Sequence, residues 1–214
     1  LAELENDLTY TANDLDRDVV AENQIRLVVR TFRDRLFTEI FPGRKEVPKT
    51  LVFAKHDLHA EDIVRILREE FGKGNDFCQK ITSKTTGAKP EDLLQQFRNS
   101  YHPRIAVTVD MIATGTDVKA IECLLFMRNI NSASYFEQMK GRGVRVISPD
   151  KLRAVSPSAK VKDRFIIVDA VGVCEHDKTD SHTLNRQPSA TLEQVLEYVA
   201  QGGIDPDALT TLAG

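Results

Sequence analysis

Cysteine is scarce in this chain of 214 residues: Cys78, Cys123 and Cys174 lie far apart, odd in number and without a Cys-x-x-Cys pair. That usage excludes a disulfide framework and points to a reducing compartment. No apolar run approaches the roughly 18 residues of a membrane span, and the opening Leu1-Ala2-Glu3-Leu4-Glu5 lacks the basic and apolar regions of a secretory signal. The expected location is the cytoplasm, with no membrane partner. Excess positive charge is missing too: 29 Lys and Arg stand against 32 Asp and Glu, a net charge of −3. Any nucleic-acid contact must therefore be confined to a stripe or a cleft. No repeat is visible, and the chain neither opens on methionine nor closes on a recognisable tail, so it reads as a piece of a longer protein.

What is present suits one globular α/β unit. Hydrophobic residues make up 41% and charged residues 29%, enough to bury about 70% of the unfolded surface without staples. Residues 1–22 are acidic around the single basic Arg17, which reads as a solvated face. Ile25, Val28, Val29, Phe32, Leu36 and Ile40 then recur at helical spacing, closed by Pro42-Gly43. Strand-like runs at Thr50–Ala54, Ile105–Val109, Ile121–Phe126 and Arg164–Val168, with a weaker one at Phe77–Ile81, alternate with helical patterns at Ala60–Phe71 and from Pro90 through Phe97. Ser134 and Glu137 fit a capping box at another helix start, and residues 148–163 read as a loose basic loop. The alternation predicts a parallel sheet with helices on both faces. The expected organisation is a helical lead-in over 1–45, the α/β domain over 46–180 and a helical segment over 181–214. Within the last, Thr191 and Gln194 cap a helix carrying Leu192, Val195, Leu196 and Val199, and Asp205-Pro206 starts another.

Two segments could carry chemistry. Asp110-Met111-Ile112-Ala113-Thr114-Gly115-Thr116-Asp117 follows a strong strand, and loops at the carboxyl ends of parallel strands form ligand crevices. Gly115 permits close backbone approach and Asp117 offers a carboxylate for a ribose hydroxyl; a tight turn joining two core elements is the plain alternative. Gln138-Met139-Lys140-Gly141-Arg142-Gly143-Val144-Arg145 places two guanidinium forks on a glycine-punctuated segment. Such forks suit phosphate oxygens, although a solvated basic loop has the same composition.

Taken together, the segments resemble the fifth and sixth motifs of superfamily 2 helicases and translocases. Asp110, Ala113, Gly115 and Asp117 match Asp-x-x-Ala-x-Gly-x-Asp; Gln138, Gly141, Arg142 and Arg145 match a Gln or His followed by Gly-Arg-x-x-Arg. The strand Leu51–Ala54 with Lys55 and His56 resembles the fourth motif. Lys49 to Asp57, Thr108 to Met111, Thr114 to Val118 and Val168 to Gly172 further resemble the R (motor) subunit of type I restriction enzymes. The resemblance covers residues 45 to 175 and implies the second RecA-like domain of such a motor. It implies Arg142 and Arg145 as arginine fingers at a γ-phosphate, Gly115, Asp117, Gln138 and Gly141 toward nucleotide, and Lys55, His56, Asp110 and Thr114 toward the DNA backbone. ATP and Mg2+ would be cofactors of the full-length protein, with none bound to this fragment. Its partners would be double-stranded DNA, the missing first RecA-like and nuclease domains, and the methyltransferase and specificity subunits. Val109 and Met139 depart from the family, where Thr and Arg are frequent, removing one hydroxyl and one cation from those positions.

Other groupings are weaker. His56 and His59 at i, i+3, with Asp62 nearby, have metal-binding side chains but read as a polar helix start beside a strand end; the cluster Cys174, His176, Asp177, Asp180 and His182 fits no zinc pattern, and no metal site is expected. Asp169 reads as ordering a turn. Another superfamily 2 DNA or RNA helicase, or a silent docking module, are the rival functions; a docking module needs neither Arg142 nor Arg145. The chain contains no G-x-x-x-x-G-K-[ST] and no strand-terminal Asp-Glu pair for magnesium. The chain alone should therefore show no ATPase with or without DNA, and turnover surviving rigorous purification would reveal a complete nucleotide site within it.

Overall fold

The computed structural model describes residues 22–82, 89–109 and 117–175. All of them lie in the first of two compact units, Leu1–Thr179; the second, Asp180–Gly214, is outside the described residues, as are the helices expected there. Five strands form one sheet: β1 (Thr50–Phe53), β2 (Cys78–Lys80), β3 (Ile105–Thr108), β4 (Cys123–Phe126) and β5 (Ile166–Asp169). They lie in the order β2-β3-β1-β4-β5, every neighbour parallel. The expected parallel sheet is what the chain forms.

The helices are α1 (Glu22–Arg35), α2 (Asp57–Phe71), α3 (Pro90–Asn99), α4 (Ala133–Lys140) and α5 (Pro149–Val155). In α1 the spaced residues Ile25, Val29 and Phe32 are buried in the same core as the sheet, and Phe32 meets Phe71 of α2 at 6.4 Å between ring centroids. The stripe continues through a π-helical turn, Leu36–Ile40, closed where the Phe41 N–H reaches Leu36 O at 2.7 Å. His56 caps α2 by accepting the His59 N–H, and Gly72 ends it at φ 58°, a left-handed conformation that glycine adopts without strain. Pro90 opens α3, where its missing N–H has no helical partner to lose, and Leu93, Leu94 and Phe97 face inward.

Two local expectations are corrected. The cap of α4 is Ser132, whose hydroxyl accepts the Tyr135 N–H at 3.3 Å, so Ser134 and Glu137 lie inside the helix. Ser132 has the extended backbone that a cap requires and Ala133 is already helical. The basic stretch after Ser148 is not a loose loop throughout: Pro149 starts α5, which buries Leu152 and Val155. Seven residues with two apolar positions are too few to display a helical period.

At the amino ends of β1 and β3 sit two buried cations. Lys49 is fully buried, and its ammonium donates to the carbonyls of Ser100, Tyr101 and Pro103 at 2.7, 3.1 and 2.6 Å, above the Phe97 ring. Burial and the neighbouring Arg104 charge weaken its hold on the proton, while three acceptors call for the three N–H donors of the ammonium form. Arg104, 1% exposed, donates to Val47 O, Tyr101 O, Val155 O and Ser156 Oγ. Burial lowers its pKa to about 10, so it stays charged at neutral pH. These side chains satisfy the carbonyls of the turn that leads into β3. Lys49→Met keeps the stem and strands three buried acceptors, at a cost on the order of 3 kcal/mol. Thermal unfolding should show Tm lowered by roughly 5–10 °C; an unchanged Tm would mean that the ammonium is not what satisfies those carbonyls.

Candidate functional site at the carboxyl edge of the sheet

Parallel pairing places the ends of β1, β3 and β4 side by side: Phe53 is level with Thr108 on one flank and Phe126 on the other. The chain leaves β1 toward the β2 edge and leaves β3 toward the β4 edge, so the connections run in opposite directions where ligand crevices form. Lys55 and His56 follow β1, the Asp110–Asp117 segment follows β3, and α4 after β4 delivers the segment from Gln138 to Arg145. Asp110, Thr114 and Gly115 lie outside the described residues.

The residues differ in how far they are committed. His56 is exposed, but its Nδ1 accepts the His59 N–H at 3.1 Å; buried His59 in turn accepts the Lys55 N–H at 3.1 Å. This ladder holds the backbone after β1 and leaves Lys55 half-buried. The two rings stand 5.9 Å apart. Among the described residues no group of three His, Cys, Asp or Glu converges on a metal position. Asp169 closes its turn by accepting the N–H groups of Val171 and Cys174 at 3.1 and 2.7 Å, as its place at a strand end suggests.

The two motif segments meet at Asp117. Its carboxylate lies 3.6 Å from Arg145 Nε and 3.7 Å from Lys119 Nζ, ion-pair distances beyond good hydrogen bonds. With Arg145 57% exposed, such a pair contributes little to stability and leaves the guanidinium available. Gln138 is exposed, its amide 3.5 Å from Ser134 Oγ. Gly141 ends α4, where a side chain would press at 3.2 and 3.3 Å on the carbonyls of Gln138 and Glu137. Arg142 is half-buried beside it. Gly143 lies flat on Phe165, just ahead of β5; a Cβ there would fall 2.4 Å from the ring. Arg145 and Lys162 line a cleft of about 310 Å³ with Gly143, Val144 and Phe165.

Sequence reasoning missed Lys162 and Arg128. Lys162 donates to Lys119 O and Arg145 O at 2.9 and 2.8 Å, and burial pushes its pKa down to about 8. Arg128 donates to Val109 O at 2.8 Å. A lone cation after a strand or within a basic stretch has no spacing that marks it.

This arrangement defines a class: a parallel α/β domain with one motif segment after β3 and the other at the end of α4, both at the carboxyl edge of the sheet. The helicase conserved C-terminal domain family matches residues 32–147, more than half of the chain, and the chain belongs to that family. It is 32% identical over 150 residues to the Type I restriction enzyme EcoKI endonuclease subunit of Escherichia coli (strain K12), covering 67% of this chain and 12% of that protein. The Type I restriction enzyme EcoAI endonuclease subunit of Escherichia coli is also 32% identical over 150 residues, covering 67% of this chain and 18% of that protein. The chain thus spans less than a fifth of the curated relatives it matches. A solved fragment described as an HsdR subunit of a type I restriction enzyme from Vibrio vulnificus YJ016 shares the fold, with a TM-score of 0.58 and 23% identity over 78% of this chain and 30% of that one.

The glycine contact yields a direct test. Gly143→Ala must push either the Phe165 ring or the arginine-bearing backbone, an overpacking cost of about 1–3 kcal/mol. Tm should fall by several degrees, and wild-type stability in the variant would show that the segment does not rest on Phe165.

Proposed function

We propose that this chain is the second motor domain of the DNA-translocating endonuclease subunit of a type I restriction-modification system. In this reading it supplies Arg142 and Arg145 as arginine fingers to an ATP site shared with a first RecA-like domain. The observation that carries it is the approach of Asp117 to Arg145, which brings the two motif segments together at the carboxyl edge. The donor set fits a nucleotide: an exposed guanidinium suits phosphate oxygens and a neighbouring carboxylate suits a ribose hydroxyl. In the same reading Gln138, Gly141 and Gly115 would contact the nucleotide. Lys55, His56, Asp110 and Thr114 would contact the backbone of double-stranded DNA in this reading, through phosphates and without sequence selectivity.

Mg·ATP, when bound between the two domains, supplies the reaction's leaving group and its energy. The protein's part is positional. A guanidinium that meets the γ-phosphate most strongly in the transition state lowers the barrier while adding little to ground-state affinity. Lysine replaces it poorly, being a point charge where a planar fork is wanted. The nuclease domain, the methyltransferase and the sequence-reading subunit would be partners in a cytoplasmic complex.

Arg142→Ala and Arg145→Ala in the full-length protein should each lower DNA-stimulated ATPase by at least 10³-fold, the scale of arginine fingers elsewhere. Tm and site-specific DNA binding by the assembled complex should stay near wild type. Normal translocation rates in both variants would make these arginines surface charges.

A further inference from the structure

The two motif segments are fastened together by cations that belong to neither. Arg128 lies two residues beyond β4, and its Nη1 donates to Val109 O, one residue beyond β3, at 2.8 Å. Since β3 and β4 flank β1, this side chain crosses the end of the central strand. Its guanidinium also lies 5.9 Å from the ring of Tyr135, in the first turn of α4. One side chain therefore ties the residue that precedes Asp110 to the helix that carries Gln138 and Gly141. Its Nε is buried with no hydrogen-bond partner, an arrangement that is rare because it is costly and that fits a group placed for its reach rather than for stability.

Lys162 does the same at the other ends. Its ammonium joins Lys119 O, two residues after Asp117, to Arg145 O, the last arginine of the second segment. It comes from the stretch without regular secondary structure ahead of β5. The start of one segment is thus tied to the start of the other, and the end of one to the end of the other. All three hydrogen bonds go to backbone carbonyls, so they fix main-chain position without consuming the side chains of Asp117, Arg142 or Arg145.

We propose that Arg128 and Lys162 are positioning residues that hold the main chain at Val109 and at Asp117–Lys119 against the Gln138–Arg145 segment, so that the backbones carrying Asp117, Arg142 and Arg145 keep a fixed separation. The catalytic consequence rests on the function proposed above; the mechanical coupling does not.

Hydrogen exchange followed by mass spectrometry on the full-length protein, with Arg128→Met and Lys162→Met, tests the coupling without reference to activity. Arg128→Met should speed exchange about tenfold in peptides covering both 105–121 and 133–142, and Lys162→Met in those covering 117–121 and 143–147. Peptides covering 50–54 and 123–126 should keep wild-type protection in both. Faster exchange confined to one segment, or spread evenly through the sheet, overturns the proposal. ATPase kinetics on the same variants should show kcat lowered tenfold or more with KM for ATP within twofold, and Arg142→Ala serves as the reference. Faster exchange with normal turnover in all three variants supports the anchors and overturns the arginine-finger reading. A dead Arg142→Ala beside Met variants with normal kcat overturns the positioning role, whatever their exchange.

Discussion

β1 is buried along its whole length and bonded on both edges, with β3 and β4 running parallel to it in matched register. Among the described strands β3 and β4 are likewise buried and bonded on both edges, and β1 is the strand that sets the two level with each other. Thr50 to Phe53 pair with Ile105 to Thr108 on one side and Cys123 to Phe126 on the other, and Phe53 stacks on Phe126 at 4.9 Å. Parallel pairing sends every carboxyl end to one edge, and the matched register sets those ends level. A slip of one residue would turn each strand's side chains to the opposite face and displace the loops beyond them. The meeting of Asp117 with Arg145 is a consequence of that alignment.

The two edges of the sheet handle charge in opposite ways. At the amino edge the cations are buried and saturated: Lys49 and Arg104 sit among carbonyls, and Arg44 grips buried Glu122 with two bonds at 2.6 and 3.1 Å. Groups held so tightly stabilise the fold and are closed to ligands, since removing either partner would strand a buried polar group. At the carboxyl edge Arg145 and Asp117 are substantially exposed and loosely paired. Such charges contribute little to folding and can reorganise around a phosphate. The division places stability at one end of the strands and availability at the other.

Much of this was legible in the sequence, for physical reasons. The three central strands β1, β3 and β4 are short, largely apolar runs, buried along their whole length, and the edge strands β2 and β5 are found where weaker or partly polar runs stand. Pro90 and Gly72 marked helix boundaries because proline's missing N–H costs nothing in a helix's first turn and glycine adopts without strain the left-handed state that ends a helix. Motif spacing singled out Asp117, Gln138, Gly141, Arg142 and Arg145, and the structure brings Asp117 and Arg145 together. What escaped were interactions set by tertiary distance: Ser132 in place of Ser134, α5 within a basic stretch, and the cations Arg128 and Lys162, whose acceptors are backbone carbonyls 19 and 17 or more residues away. A carbonyl has no residue identity, so no pattern of letters announces it as a partner.

In the function proposed above, this chain supplies half of a nucleotide site. The decisive measurement is a structure of the full-length protein with DNA and an ADP–metal-fluoride mimic of the transferring phosphate. The guanidinium groups of Arg142 and Arg145 should lie within about 3 Å of the mimic's fluorides, with Asp117 beside the ribose. Arginines turned to solvent, with the phosphate mimic contacted by the first domain alone, would contradict it.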